Sequence, residues 1–482
     1  MFTRDISMTK IYLIVALLAI VTRLIFVLLF PGSGGDWDIY STVAENILNG
    51  CGVSLSDPES AACVPHFGGN QLPGYPAFVA LVWEIFDHKD ASIRLAQTFI
   101  YVASLLWLVR SVYIYTSSTR IALLVGVVMA ISPLQIAWPR FTQTETLALA
   151  ATILVLAELL YSLAYNRLRI VSLAVVLTFA MFIRLDSVLL TIPTAVTGFI
   201  IYKPYKAFKK GLVLLLLLLI PIGSWTVRNI NVELPSLFPQ NMTLPEGAHQ
   251  PTGYLKWGWT WITEEYQRPG WQWGVNRFNY DSISIDNKAY DSIEEKSRVE
   301  GLLEDLKKYN GQPFPQEIDH EFSEIASERL RNYKFRTLIV NPLKRSAALW
   351  TNLFSSYAWP NELPSKISHQ ARLQAKRGDG GIIDLALEYP FIAITKGITG
   401  GYKMLLQIIF ILITILAINR SITSKKIRNI LFISGSIVLA RTAFFAITNN
   451  IETRYSVEAV PGMELLVICG IVYFFKTYRE KT

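Results

Sequence analysis

Charge is scarce in this sequence. Asp, Glu, Lys and Arg make up 17% of its 482 residues, against about 25% in an ordinary soluble domain. Cysteine is rarer still: three residues are too few for a disulfide scaffold. No internal repeat and no low-complexity tract interrupts the chain, which removes solenoid and array architectures. What fills the space is apolar, with 52% hydrophobic residues and a mean hydropathy of +0.35. A helix needs about 20 predominantly apolar residues to cross a bilayer, and many runs supply them. The composition specifies an all-α polytopic membrane protein.

The net charge of +8 does not point to nucleic acid, because its placement follows the apolar runs. Lys and Arg gather in short clusters between them, such as Arg110 with Arg120, Arg167 with Arg169, and Lys203 with Lys206, Lys209 and Lys210. Short loops rich in Lys and Arg stay in the cytoplasm. Spans are expected near 11–30, 91–115, 120–138, 144–165, 170–184, 187–202, 211–229, 401–419, 428–447 and 460–477. Ten crossings that start inside put the basic clusters on one side. The first run, Ile11 to Phe30, is too long for a signal-peptide core and lacks a small-residue cleavage site, so it reads as a retained helix.

The opposite side then receives a first loop, 31–90, and a long segment, 231–400. This divides the chain into a transmembrane module over 1–230, an outer segment over 231–400 and C-terminal transmembrane helices over 401–482. In the first loop, "DIYSTVAENILNG" carries Ile39, Val43, Ile47 and Leu48 on one helical face, and "YPAFVALVWEIF" is apolar but too short to cross. Cys51 and Cys63 lie in that loop, and spacing alone leaves pairing and two free thiols equally open. In the long segment, "EEKSRVEGLLEDLKKYNG" and "DHEFSEIASERLRNY" read as charged amphipathic helices. Trp257, Trp259, Trp261, Trp271 and Trp273 suit a membrane interface, or a surface on which a sugar stacks. "NPLKRSAALWTNLFSSYAW" reads as interfacial or as a further span, which extends the count to twelve.

The acids have the most to say. Asp36 and Asp38 follow the first span directly, and ionisable residues at such depth are functional candidates. A carboxylate there serves as a general base, or holds a divalent ion such as Mg²⁺ or Mn²⁺ beside a phosphate. The plainer reading is a helix N-cap, since "GDWDIY" opens a helix. Further polar residues recur at the ends of other spans on the same side: Arg140 and Glu145, Arg184 and Asp186, Arg228, then Glu452, Arg454 and Tyr455. Guanidinium is the usual partner of phosphate oxygens, although a single arginine in such a loop more often anchors a helix to lipid headgroups.

The ordered set resembles the GT-C glycosyltransferases, specifically bacterial relatives of protein O-mannosyltransferases and the lipid A aminoarabinose transferase. The pieces are "DWDIY" after span one, "LPGYPAFVALVWEIF", "TQTETLALA" at the head of span four, an Arg ending span five, "WTVRN" ending span seven, and "ETRYSVEAVP" before the last span. Order and spacing fit nearly the whole chain, while 240–325 matches no part of it. The resemblance implies a GT-C-like fold in a bacterial inner membrane, with a site facing the periplasm or exterior. It implies transfer of a sugar from a polyprenyl-phosphate carrier to a lipid, glycan or protein acceptor. Asp36 becomes the catalytic carboxylate, and Tyr40 belongs to the same short helix. Many relatives carry a basic residue just before Pro-Gly-Tyr-Pro where this chain has Asn70, Gln71 and Leu72. Arg140, Arg228 and Arg454 are then the candidates for the donor phosphate, with Glu145 and Tyr455 beside them.

The chemistry is coherent. Arginines stabilise the charge that grows on the leaving phosphate, and Asp36 takes the acceptor proton from the opposite face of the sugar, which favours inversion. The rival class is a transporter or lipid flippase. It explains the helices and the arginines, but such proteins show symmetry between halves and polar sites near mid-span, and this sequence has neither.

Overall fold

The structure, a computed structural model, describes residues 6–59, 63–65, 72–232, 249–352, 357–360, 382–419 and 424–479. Asn70 and Gln71 lie outside the described residues. From its N-terminus the chain forms α1 (Met8–Leu29), a two-residue strand β1 (Gly32–Ser33) and α2 (Trp37–Leu48). It continues through α3 (Gly74–Ile85), α4 (Asp90–Thr116), α5 (Thr119–Ile131) and β2 (Phe141–Thr142). Next come α6 (Glu145–Ala164), α7 (Ile170–Ile183), α8 (Thr191–Ile201) and α9 (Pro204–Asn231). The long segment holds α10 (Thr252–Trp261), α11 (Gln267–Asn276), α12 (Ile293–Lys307), α13 (Gln316–Asn332) and α14 (Asn341–Thr351). The last described helices are α15 (Ile382–Glu388), α16 (Pro390–Ile418), α17 (Lys425–Ile447) and α18 (Val460–Arg479).

Seven of the described helices are long and apolar enough to cross a membrane: α1, α4, α6, α9, α16, α17 and the unit from Thr453 through α18. Three shorter apolar helices, α5, α7 and the stretch Leu185–Ile201, fall where the remaining expected crossings lie. The chain is an integral membrane protein of all-α, polytopic architecture. Several boundaries move, among them that of α9, which begins at Pro204 rather than 211. The third span stops at Ile131 rather than 138, because Pro133 offers no N–H and drives Ser132 out of the helical region. The span expected to begin at 401 begins at Pro390, a residue whose fixed φ suits a first turn.

In the bundle, Val15 of α1, Val109 of α4 and Val125 of α5 are fully buried in one core that runs on to Leu465 and Leu466 of α18. Leu13, Leu17 and Leu28 of α1 stand exposed, as suits side chains that meet lipid rather than water.

The first loop packs separately. Tyr40 and Ala44 of α2 meet Tyr75, Val79, Ala80 and Trp83 of α3 in a small core. The buried face of α2 is therefore Tyr40, Val43 and Ala44, while Leu48 is exposed, a rotation of one residue from the expected stripe. Cys51 and Cys63 form a disulfide with their Cα atoms 5.1 Å apart.

The segment with five tryptophans differs from both expectations. Trp257, Trp261 and Trp271 are buried in an aromatic core with Tyr254, Phe314 and Phe322. Tyr254, Trp257 and Trp261 repeat at helical spacing and so share one face of α10. The Tyr254 and Trp271 rings stack at 5.2 Å and 8°. Gly258 makes this possible, since a Cβ there would come within 2.3 Å of the Trp271 ring. Trp259 donates to the Ile447 carbonyl at 2.7 Å, and Trp273 alone of the five is largely exposed. Both charged stretches form amphipathic helices, α12 and α13, and α13 buries Ile318, Phe322, Ile325 and Ala326 on this core. Of the stretch 341–359 read as interfacial or as a further span, residues 353–356 lie outside the described residues, and Asn341–Thr351 forms α14. Its Arg345 is buried and donates to the carbonyls of Ile262 and Ala446 at 2.8 and 3.2 Å, and so joins the second core to α17.

Candidate active site

Two short strands set the site. Gly32 pairs with Phe141 and Ser33 with Thr142 in parallel register. The pairing lays the segment that leads to Asp36 beside the segment that leads to Glu145. Strand residues this short have little stability of their own; Arg140 holds them, donating to the carbonyls of Phe30 and Ala358, each at 2.6 Å. On the other flank, a Cβ at Gly74 would sit 2.5 Å from the Phe182 carbonyl. Only glycine admits that approach, which docks the start of α3 against the end of α7, where Arg184 stands.

Around these joints lies a cluster of charge. Arg184 reaches Glu145 at 3.2 Å, and Asp186 and Glu458 at 3.1 Å each. Arg441 reaches Asp186 at 2.6 Å and Glu458 at 2.9 Å. Arg454 pairs with Glu452 at 2.7 Å and approaches Glu145 at 3.7 Å, and Arg268 reaches Glu452 at 3.3 Å. Tyr455 stacks on Phe445 at 4.6 Å, with the Arg184 guanidinium 5.3 Å from its ring. Charges buried this far from water survive only when paired, and the pairs interlock.

Asp36 faces this cluster and is the exception. It occupies the N-cap position of α2, yet its carboxylate makes no capping hydrogen bond, so the plainer reading does not describe it. Among the described residues it forms no side-chain hydrogen bond or ion pair. Burial raises its pKa; Arg454 offsets this in part, while Glu145 and Glu452 add to it. Burial likewise raises the Tyr40 phenol, with Asp36 and Glu145 adding to it, so Tyr40 stays protonated. Tyr40 packs edge-on against Tyr75 at 4.8 Å. Burial would raise Glu452 as well, but Arg454 and Arg268 outweigh it and hold that carboxyl low. Glu145 is buried, and its Oε2 has no hydrogen-bond partner among the described residues. The unpaired Asp36 carboxylate and this Glu145 oxygen are two acceptors beside one charged cluster, near enough for Glu145 to act on Asp36.

Not every candidate joins them. Asp38 is exposed on the first turn of α2, and residues two apart on a helix do not face each other. Asp36 and Asp38 therefore do not fit as joint ligands of Mg²⁺ or Mn²⁺, and among the described residues no three His, Cys, Asp or Glu side chains group to hold a metal ion. Arg140 is buried in the frame, as described. Arg228 donates to the Val53 carbonyl at 3.0 Å and to Asn229 at 3.0 Å, and ties the end of α9 to the disulfide loop. Arg268, Arg441 and Glu458 were not singled out from the sequence. The signal for Arg441 was there: an arginine inside the apolar run "IVLARTAFFAI".

Residues 70–225 match the family described as dolichyl-phosphate-mannose-protein mannosyltransferase. Among curated proteins none matches the chain. Two solved structures are similar at 12% identity and a TM-score of 0.39: ArnT from Cupriavidus metallidurans bound to undecaprenyl phosphate, and the same protein in its apo state. The alignments cover 93% and 95% of this chain and 77% and 78% of those chains. On a polytopic helical membrane protein, the family match over residues 70–225 supports a membrane glycosyltransferase of the GT-C type.

Proposed function

We propose that the chain transfers a sugar from a polyprenyl-phosphate carrier to an acceptor hydroxyl, with Asp36 as the base. The observation that carries this reading is the Asp36 carboxylate, unpaired beside a cluster in which the other acids are paired. The family match and the ligand named for one of the similar structures point to the same class of donor.

The residues divide the work. Asp36 takes the proton from the acceptor hydroxyl as its oxygen attacks the anomeric carbon. The bond between that carbon and the phosphate oxygen breaks, and its electron pair leaves with the polyprenyl phosphate. Arg454, whose side chain is 35% exposed, is the guanidinium placed to stabilise this charge. Glu145 Oε2 accepts a sugar hydroxyl, with Tyr40 and Tyr455 beside the cluster. Arg140 and Arg228 hold the frame. Attack opposite the leaving group inverts the anomeric centre. The acceptor is a lipid, glycan or protein, and the long segment between α9 and α16 is the part that selects it. The reading places that segment and the first loop on the periplasmic or outer face of a bacterial inner membrane, and divides the chain at about 230 and 400.

Asp36→Asn tests this. The purified variant should keep its fold and its affinity for polyprenyl phosphate, and lose about a hundredfold or more in transfer, as removal of a general base does. Transfer at the wild-type rate would remove Asp36 from the mechanism.

A further inference from the structure

Arg454 stands between two demands. The mechanism needs its charge for the leaving phosphate, yet Glu452, two residues before it, reaches its Nε at 2.7 Å. A carboxylate that close competes with a phosphate for the same guanidinium. What limits the competition comes from another part of the chain. Arg268 of α11 lies 3.3 Å from Oε1 of Glu452, while Arg454 is on Oε2. The two oxygens of one carboxylate are thus divided between two cations.

The outer segment holds both Arg268 and the backbone that leads to Arg454. Arg268 is largely buried, and its other terminal nitrogen donates to Gln272 Oε1, one turn along α11, at 2.9 Å. Gln267 Oε1 accepts from the backbone N–H groups of Thr263 and Glu264 at 2.9 and 3.0 Å, which sets the turn that carries Glu265. The Thr453 hydroxyl and N–H donate to Glu265 Oε2 at 3.0 and 3.4 Å, and Asn352 Nδ2 donates to the same oxygen at 2.6 Å. Thr453 opens a short 3₁₀ helix, Thr453–Ala459. The first N–H of such a helix has no partner within it, and Glu265 supplies one. Arg454 is the next residue, so its place is set by the segment that buries Trp257, Trp261 and Trp271.

We infer that Arg268 is a positioning residue of the donor site: by engaging one oxygen of Glu452, it leaves Arg454 available to the phosphate of the lipid carrier. The inference rests on the role proposed above for Arg454. Its physical content is a local balance of charge. With Arg268 in place, two guanidiniums share one carboxylate, and an arriving phosphate meets a positive surplus. Without it, Glu452 neutralises Arg454 by itself. The segment between α9 and α16 therefore contributes to donor binding.

The probe is undecaprenyl phosphate, titrated into the purified full chain in phosphatidylcholine nanodiscs and read by native mass spectrometry. Arg268→Gln should weaken binding about tenfold or more, the scale of one charge-assisted contact. Arg268→Lys keeps the charge and replaces a contact made by one nitrogen, so it should stay within about threefold of wild type. The decisive comparison removes the competitor. In a Glu452→Gln background, the same Arg268→Gln change should cost less than about twofold, because its effect passes through Glu452. An undiminished loss in that background overturns the inference, since Arg268 would then act on the phosphate directly or on the fold. Binding by Arg268→Gln equal to wild type overturns it too. Arg454→Gln keeps the two readings apart. If that variant binds like wild type, the donor role of Arg454 fails and the inference with it. If it binds weakly while Arg268→Gln binds normally, the inference alone fails.

Discussion

Arg184→Gln puts the largest load on the charge cluster. The Arg184 side chain is 9% exposed and lies within about 3.2 Å of Glu145, Asp186 and Glu458. Gln retains donors but no charge, so three buried carboxylates would share Arg441 and Arg454. Removing one partner of a buried pair costs about 3–5 kcal/mol, because the other charge stays buried. One guanidinium here serves three acids, yet the cost does not triple, since a stranded carboxyl protonates instead. The expected loss is therefore about 3–5 kcal/mol, a fall in melting temperature of about 3–5 °C for a chain of this length. Tryptophan fluorescence of the detergent-purified protein reads it directly, with 12 tryptophans in the chain. Adding Glu145→Gln removes one stranded acid and should return about 1–3 kcal/mol. Melting of Arg184→Gln with the wild type, or strict additivity in the double variant, refutes the interlocked cluster.

Two further outcomes can be measured. Asp36 works as a base only when ionised and burial raises its pKa above the ordinary 3.8, so transfer should be lost as pH falls through a value above 3.8. Arg454→Gln removes a charge that holds Asp36 down and should move this acid limb higher, which a pH–rate profile detects; a limb at or below 3.8 in both proteins contradicts the assignment. For orientation, Ser284→Cys in the long segment should react with an impermeant maleimide in intact cells, and Lys425→Cys at the start of α17 only after lysis; the reverse pattern turns the site to the cytoplasm.

Span placement was legible because hydropathy and basic loops report the same thing. Its errors came where one residue overrides a run, as Pro133 does. Asp36, Glu145, Arg454 and Tyr455 could be picked out because each sits at a span end on one side, and they lie around one cluster. Hydropathy does not say which way a guanidinium points: Arg140 and Arg228 occupy the same kind of loop but bond to backbone carbonyls. The tryptophans misled for a related reason. Their abundance suggested a surface, whereas their helical spacing, with Gly258 opposite Trp271, marked a core. Arg441 shows the opposite failure, since a single charge inside an apolar run was passed over in favour of loops.

The cluster also imposes an order of assembly on the growing chain. Glu145 and Asp186 enter the bilayer with α6, α7 and α8, accompanied only by Arg184. The second guanidinium for Asp186, Arg441, is 255 residues further on, roughly 10–50 s of synthesis at about 5–20 residues per second. For that interval the nascent protein holds two carboxylates against one cation in a medium that tolerates neither surplus. Insertion of α17 brings Arg441 to Asp186 at 2.6 Å, and the segment before α18 brings Arg454 together with Glu452 and Glu458, so the pairing of the early acids is finished by the last helices.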